Sequence, residues 1–250
     1  MNTKKNKILT LNIEKSTKAQ AYRKIVKFLA ENKKCRKIYT PNPQMALGCY
    51  RSRELSELFS RADMLLPDGI GLIIASKILG NPLPERITGI DTAEFILKFA
   101  EKKSLSVALI GAKKNVASLA KDKLTKKFPR LRIIYTHHGY FDKNGKENDA
   151  VIRELKKHAP DILFVCFGFP LQETWIDNNS DKIPSLRLCI GLGGALDVWS
   201  GNVKRAPQFI QYVNLEWLWR ILGDNTRKGS LSDITKFILL VFTQKSKKKH

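Results

Sequence analysis

What this chain lacks narrows its function before any motif is read. It has no 18-residue apolar stretch, and its longest late apolar run, Phe237 to Phe242, is far short of the ~20 residues that a membrane-spanning helix needs. Its basic start, Met1 to Lys7, leads into Ile8-Leu9-Thr10-Leu11-Asn12-Ile13, which is not the core of a secretory signal, so a cytosolic location is expected. Cysteine is scarce. Cys35, Cys49, Cys166 and Cys189 show no C-x-x-C spacing and lie in or beside apolar segments, which predicts reduced, buried thiols rather than a zinc site or a disulfide framework. No G-x-G-x-x-G with a following acidic partner occurs, which argues against a standard dinucleotide fold, and the lack of a Walker A motif argues against ATP hydrolysis. No Asp-x-Asp is present to hold magnesium or manganese on a diphosphate, and no internal repeat is visible. Acidic residues are few: 23 against 45 Lys and Arg, a formal charge of +22. So large an excess favours a polyanionic partner, whether nucleic acid, an anionic membrane surface or a phosphorylated substrate.

With 250 residues, 43% of them hydrophobic, the chain can bury one large core and carry a modest appendage. Leu9, Leu11 and Ile13 alternate as one half-buried strand, and Thr17 to Lys34 has helical spacing. Strand Lys37 to Thr40, helix Gln44 to Phe59, strand Ala62 to Leu66, a helix to Leu79 and a helix from Thr92 to Lys102 follow. From Ser106 to Ile190 four further strands alternate with three helices. Such βα alternation predicts an α/β fold with a mostly parallel, Rossmann-like sheet and helices on both faces over residues 1–200. Residues 201–250 then read as a C-terminal helical, membrane-associating appendage. It comprises an aromatic-rich helix from Pro207 to Leu222, with Trp217 and Trp219, and an apolar helix from Ser232 to Phe242 that runs into Lys245, Lys247, Lys248 and Lys249.

Five strands end in small polar or glycine-rich stops: Thr40-Pro41-Asn42-Pro43, Pro67-Asp68-Gly69, Gly111-Ala112-Lys113, Gly168 to Glu173 and Gly191-Leu192-Gly193-Gly194. Ligands of open parallel sheets sit beyond the carboxyl ends of the strands, so these stops are expected to line one crevice. Asp68, between a strand end and Gly69, can present a carboxylate to a substrate that approaches the glycine closely, although position alone favours an N-cap. Thr40 and Asn42 offer a hydroxyl and an amide to sugar hydroxyls or a phosphate, or form a plain strand-to-helix turn. Gly168, Gln172 and Glu173 would set an amide and a helix start beside a ligand, and Gly193 and Gly194 can admit a base or a diphosphate. His137-His138 reads poorly as a metal pair, because neighbours on a strand point to opposite faces.

In their order these stretches, with Pro84-Glu85-Arg86-Ile87-Thr88-Gly89, His137-His138-Gly139-Tyr140-Phe141, Gly193-Gly194-Ala195-Leu196-Asp197 and Val203 to Pro207 through Glu216-Trp217-Leu218, resemble the WecG/TagA/CpsF family of bacterial glycosyltransferases over roughly residues 8–222. The resemblance implies an inverting transfer, with no metal and no cofactor, of a sugar from a UDP-sugar donor to an undecaprenyl-diphosphate-linked sugar acceptor in teichoic acid, capsule or related surface-glycan synthesis. N-acetylmannosamine is the sugar it points to. By the same resemblance Asp68 would be the general base, Thr40, Asn42 and Gln172 would position the sugar and diphosphate, Arg86 would serve the active site, Asp197 would lie near the nucleotide, and Arg220 and Arg227 would be supplied by the appendage.

The physical reading agrees with that chemistry. Without a carboxylate pair for a metal, the departing diphosphate needs helix N-termini and cationic side chains. Lysines contribute about 1 kcal/mol each near an anionic leaflet, so the Lys245 to Lys249 cluster and the Phe237 to Phe242 face suit a peripheral enzyme on the inner side of the cell membrane. Exposed apolar area near the appendage would support a homo-oligomer. A nucleic-acid-binding protein is the rival from another class, but the charge is spread along the chain rather than focused on aromatic-rich strands, so no nucleic-acid partner is expected. Another Rossmann-like nucleotide enzyme is the third reading, weakened by the missing glycine fingerprint.

Overall fold

Contiguous apolar runs such as Val107-Ala108-Leu109-Ile110 and Ile162-Leu163-Phe164-Val165 suit strands covered on both sides, because alternate side chains of a strand face opposite ways. The computed structural model, which describes residues 5–31, 34–204, 206, 207, 210 and 230–247, shows them so. Six strands, β3 (Arg36–Tyr39), β4 (Met64–Leu65), β5 (Ser106–Gly111), β6 (Arg132–His137), β7 (Ile162–Cys166) and β8 (Leu188–Gly191), form one parallel sheet in the order β4-β3-β8-β7-β5-β6. Ile38, Val107, Leu109, Phe164 and Ile190 feed one core, while Tyr39, Ala108, Ile110, Leu163, Val165 and Cys189 feed the other.

Helices cover both faces, as the alternation predicts. On the first face lie α1 (Lys18–Glu31), α5 (Gly89–Lys103), α6 (Val116–Lys127) and α9 (Ala195–Trp199). On the second lie α2 (Pro43–Arg51), α3 (Arg53–Ser60), α4 (Ile70–Ile78), α7 (Lys146–His158) and α8 (Leu171–Asn179), joined by the C-terminal helix α10 (Ser230–Lys247). Neighbouring strands β3 and β8 lead into helices on opposite faces, α2 and α9, and so do β5 and β7, which lead into α6 and α8. The same holds for β8 and β7 and for β5 and β6, so the chain parts at four places along the carboxyl edge of the sheet, between β3 and β8, β8 and β7, β7 and β5, and β5 and β6, and at this edge open α/β sheets hold their ligands.

Four sequence expectations change in detail. The single strand expected at Leu9 to Ile13 is an antiparallel hairpin of β1 (Lys5–Ile8) and β2 (Leu11–Glu14), turned at Leu9, whose φ is 53°. Its first strand was hidden because Asn6, a polar residue, takes an inward position and donates to the Asn81 carbonyl. The helix expected over 44–59 breaks at Ser52, which is extended and whose hydroxyl accepts the Leu55 N–H at 3.2 Å, capping α3. Five-residue α9 went unforeseen. The last apolar helix is longer than read, and Phe237 and Val241 are fully buried in the second core where α10 meets α2 and α4. The expected membrane-facing surface from Phe237 to Phe242 is thus corrected: only Leu239 and Phe242 are exposed large apolar residues on it. The helix expected from Pro207 to Leu222, like Arg220 and Arg227, lies almost wholly outside the described residues.

Candidate active site

Asp68 stands two residues beyond the last hydrogen bond that extends β4, its N–H donating to the Pro41 carbonyl at 3.0 Å. It does not cap α4. That helix starts from Gly69 with no side-chain cap, and the Asp68 Oδ2 instead accepts the Gly89 N–H, at 3.1 Å, at the start of α5. Thr88 caps α5 through its hydroxyl, which accepts the Asp91 N–H at 3.2 Å. A backbone donor at a helix start thus fixes the carboxylate in place, at the end of the macrodipole that favours negative charge.

Around Asp68 is a small cleft. Thr40 contributes from the end of β3, Thr88, Gly89 and Ile90 from the start of α5, and Leu192, Gly194, Ala195 and Val198 from the β8 stop and α9. The stops after β3, β4 and β8 therefore do converge, on the carboxylate side of the first parting of the chain. Thr40 is 9% exposed, and its hydroxyl lies 3.0 Å from where a Cβ on Gly89 would sit, so the cleft wall tolerates only glycine there without a shift. Of the two residues flanking this group, Asn42 spends its Oδ1 capping α2 through the Met45 N–H at 3.0 Å, which leaves its amide nitrogen as the donor it can offer. Arg86 is tied beside Asp68 through the next residue, Ile87, whose N–H donates to the Pro67 carbonyl at 2.9 Å.

Gly69 has a different reason to be glycine than the approach of a substrate. A Cβ there would lie 2.5 Å from Cδ of Pro43, and one on Gly71 would lie 2.6 Å from Pro43 Cγ, so the Asp68 loop is packed directly on the start of α2. Gln172 joins the β7 and β8 stops. Its Oε1 accepts the Gly193 N–H at 2.8 Å and the Gly168 N–H at 3.3 Å, and its side chain lies against Gly191, where a Cβ would come within 2.9 Å of Nε2. Gly168 and Gly193 both have positive φ, 83° and 54°, with open space where a Cβ would be. Asp197, partly buried, sits in the first turn of α9. Glu173 is not at the crevice: it is fully buried, and its Oε1 accepts from the Gln172 amide at 2.8 Å.

The Gly111-Ala112-Lys113 stop lies instead where β5 parts from its neighbours β7 and β6. There Gly139 N–H donates to the Ala112 carbonyl at 2.8 Å, and Lys143 donates to the carbonyls of Gly139 and Phe141 while its Nζ lies 3.7 Å from the centre of the Phe141 ring and 4.6 Å from that of Phe167. Burial lowers the Lys143 pKa from its ordinary value. The lysine holds the His137 to Phe141 loop against the end of β7, with Tyr140 left 72% exposed at its tip. His137 turns its Nδ1 to the His138 carbonyl at 2.8 Å. Among the described residues no three His, Cys, Asp or Glu side chains converge as metal ligands would.

A family profile described as glycosyl transferase WecG/TagA/CpsF family matches residues 6–250. The chain belongs to this family. It is 35% identical over 212 residues to the N-acetylglucosaminyldiphosphoundecaprenol N-acetyl-beta-D-mannosaminyltransferase of Bacillus subtilis strain 168, covering 85% of this chain and 81% of that one. It is 34% identical over 248 residues to the protein of the same name from Staphylococcus aureus strain MW2, covering 98% and 95%. The chain is accordingly a glycosyltransferase.

Sequence reasoning found Thr40, Asp68 and Gly194, with Leu192 in the stop after β8, which the structure brings together, and missed Thr88, Gly89, Ile90, Ala195 and Val198 as cleft-lining residues. Thr88 carried a signal, since a threonine followed three residues later by an acid just before an apolar-periodic run marks a helix start. Val198 carried none, because a five-residue helix is too short for periodicity to show.

Proposed function

We propose that the chain transfers N-acetylmannosamine from a UDP-linked donor to an undecaprenyl-diphosphate-linked N-acetylglucosamine, with inversion at the anomeric carbon. The relatives' names supply the acceptor and the transferred sugar. The observation that carries the reading is the seating of Asp68: an acid at the carboxyl edge of the sheet, fixed by the Gly89 N–H and facing a cleft that includes Thr40 and Gly194.

In this scheme the acceptor hydroxyl gives its proton to Asp68 as its oxygen bonds to the anomeric carbon. The bond from that carbon to the β-phosphate oxygen breaks on the opposite side, and its electron pair leaves with UDP. A general base contributes typically ~10²–10⁴ in rate, so orientation of the two substrates and neutralisation of UDP supply the remainder. Backbone N–H groups at the starts of α5 and α8, Arg86, and Arg220 and Arg227 from the appendage are the groups we assign to the diphosphate.

The acceptor's lipid places the work at a membrane. Among the described residues no helix is long and apolar enough to cross one, so we assign a peripheral attachment on the inner face, through Leu239, Phe242 and the lysines of α10. The test is a panel of UDP-sugars incubated with a short-chain polyprenyl-diphosphate N-acetylglucosamine, with the product's anomeric configuration read by NMR. UDP-N-acetylmannosamine should give the highest kcat/KM and a β-linked product; preference for another sugar, or retention of the donor's configuration, would overturn the donor or the inverting step.

A further inference from the structure

Glu173 is a fully buried acid beside the site residue Gln172. Its Oε1 accepts from the Gln172 amide at 2.8 Å, and its Oε2 has no hydrogen-bond partner among the described residues. A carboxyl shut away half-satisfied costs stability, so its retention beside a site residue asks for a role.

Gln172 supplies that role. An amide has one acceptor end and one donor end, and here both are committed: Oε1 faces two N–H donors, those of Gly193 and Gly168, while Nε2 faces the Glu173 carboxyl. Turned over, the NH2 would meet two donors and the oxygen would meet the carboxyl, so with Glu173 ionised every contact would become repulsive. Both glycines hold positive φ, so the two turns meet at backbone conformations that the Gln172 amide bridges. We propose that Glu173 is a positioning residue of the transferase site, locking the Gln172 amide in the one orientation that clamps the β7 and β8 turns together. This rests on the functional reading above and adds to it a residue that acts without contacting substrate.

The ionised carboxylate is the stronger acceptor, because a hydrogen bond to a charged group is shorter and stronger. Among the described residues, the groups facing Glu173 supply no positive charge. From β3, the Tyr39 hydroxyl donates to the Glu173 main-chain carbonyl at 3.2 Å, and from α2 comes the Cys49 thiol, itself pushed up to about 12 by burial. Further along α8, Asp177 is already paired with Lys37 and Arg61. Burial accordingly pushes the Glu173 carboxyl up to about 7, with the Gln172 hydrogen bond working in the opposite direction. The lock should tighten as pH rises through about 7, whereas fold stability should move the other way. An acid whose folded pKa is raised stabilises the fold least once ionised, so its contribution declines from about pH 4.5 and levels off above about pH 7.

Three measurements on the full chain test this. In the wild type, the Gln172 side-chain amide resonances should titrate together with the Glu173 carboxyl, with a midpoint near pH 7; amide resonances that do not respond when that carboxyl ionises would overturn the proposal. Glu173→Leu, which removes the acceptor, should cut kcat roughly 10- to 100-fold with KM for the donor little changed. Glu173→Gln keeps an acceptor oxygen but cannot ionise, so it should restore most of kcat, flatten the rise in rate around pH 7, and abolish the stability decline over the same range. Wild-type kcat in the leucine variant, or a wild-type pH profile in the glutamine variant, would overturn it. Should the leucine variant fail to fold, the glutamine variant and the wild-type titration carry the test. A wild-type chain that transfers no sugar would sink the functional reading, while the amide titration would still decide the lock.

Discussion

At the scale of single residues, the Asp68 carboxylate and the glycine after it divide the labour. The acid is held by a backbone donor on α5, and Gly69 lets its loop lie on Pro43, with 2.5 Å between the ring and the position of an added Cβ. Gly69→Ala should therefore destabilise the fold by about 1–3 kcal/mol through overpacking, and shift the carboxylate enough to cost activity as well. Chemical denaturation with a parallel transfer assay checks both; an alanine variant of wild-type stability and rate would show that the loop has slack. Asp68 and Thr40 were legible in the sequence because a polar residue after an apolar strand run marks a carboxyl edge. Glu173 was not legible as a buried residue. It is the immediate neighbour of Gln172 in the first turn of α8, and nothing in the string Leu171-Gln172-Glu173-Thr174 tells which polar side chain turns inward.

At the scale of elements, the cleft depends on short helices that are started correctly. Ser52 ends α2 through its backbone N–H, which donates to the Gly48 carbonyl, and begins α3 with its hydroxyl, so Ser52→Ala should lower stability by about 1 kcal/mol, seen as a lower Tm without loss of helix content at room temperature. Helix α10 is anchored more heavily. Phe237 is fully buried, Asp233 lies 3.8 Å from Arg51, and Gln244 accepts the Leu9 N–H at 2.8 Å. Phe237→Ala should cost about 3–5 kcal/mol and make the segment after Ser230 an early site of limited proteolysis; unchanged cleavage and stability would show that α10 holds by its edges alone. Apart from α9, the helices that alternate with the strands were legible from apolar periodicity. The hairpin at the start and the break at Ser52 were not, since an inward asparagine hides one and a single capping hydroxyl makes the other.

At the scale of the whole molecule, alternating strands and helices announced a parallel sheet, but not its order. The placement of β8 between β3 and β7 is a long-range pairing that local pattern does not encode, and it is what brings the Gly194 stop beside Thr40 and Asp68. Arg220 and Arg227 lie outside the described residues and remain assignments from the family resemblance. The charge of +22 acts on the molecule as a unit. Sedimentation with anionic liposomes should be strong at about 50 mM salt and fall steeply by about 500 mM, as screening shortens the Debye length. The double change Leu239→Ser and Phe242→Ser should weaken it further while leaving Tm nearly unchanged, since both side chains are exposed; salt-independent binding would point to an apolar attachment instead. The most direct test of the account is the steady-state transfer rate of Asp68→Asn, measured beside its affinity for UDP by calorimetry and its Tm. The account predicts a kcat lowered by roughly 10²-fold or more with UDP affinity and Tm close to those of the wild type. A variant that transfers sugar at the wild-type rate would contradict it.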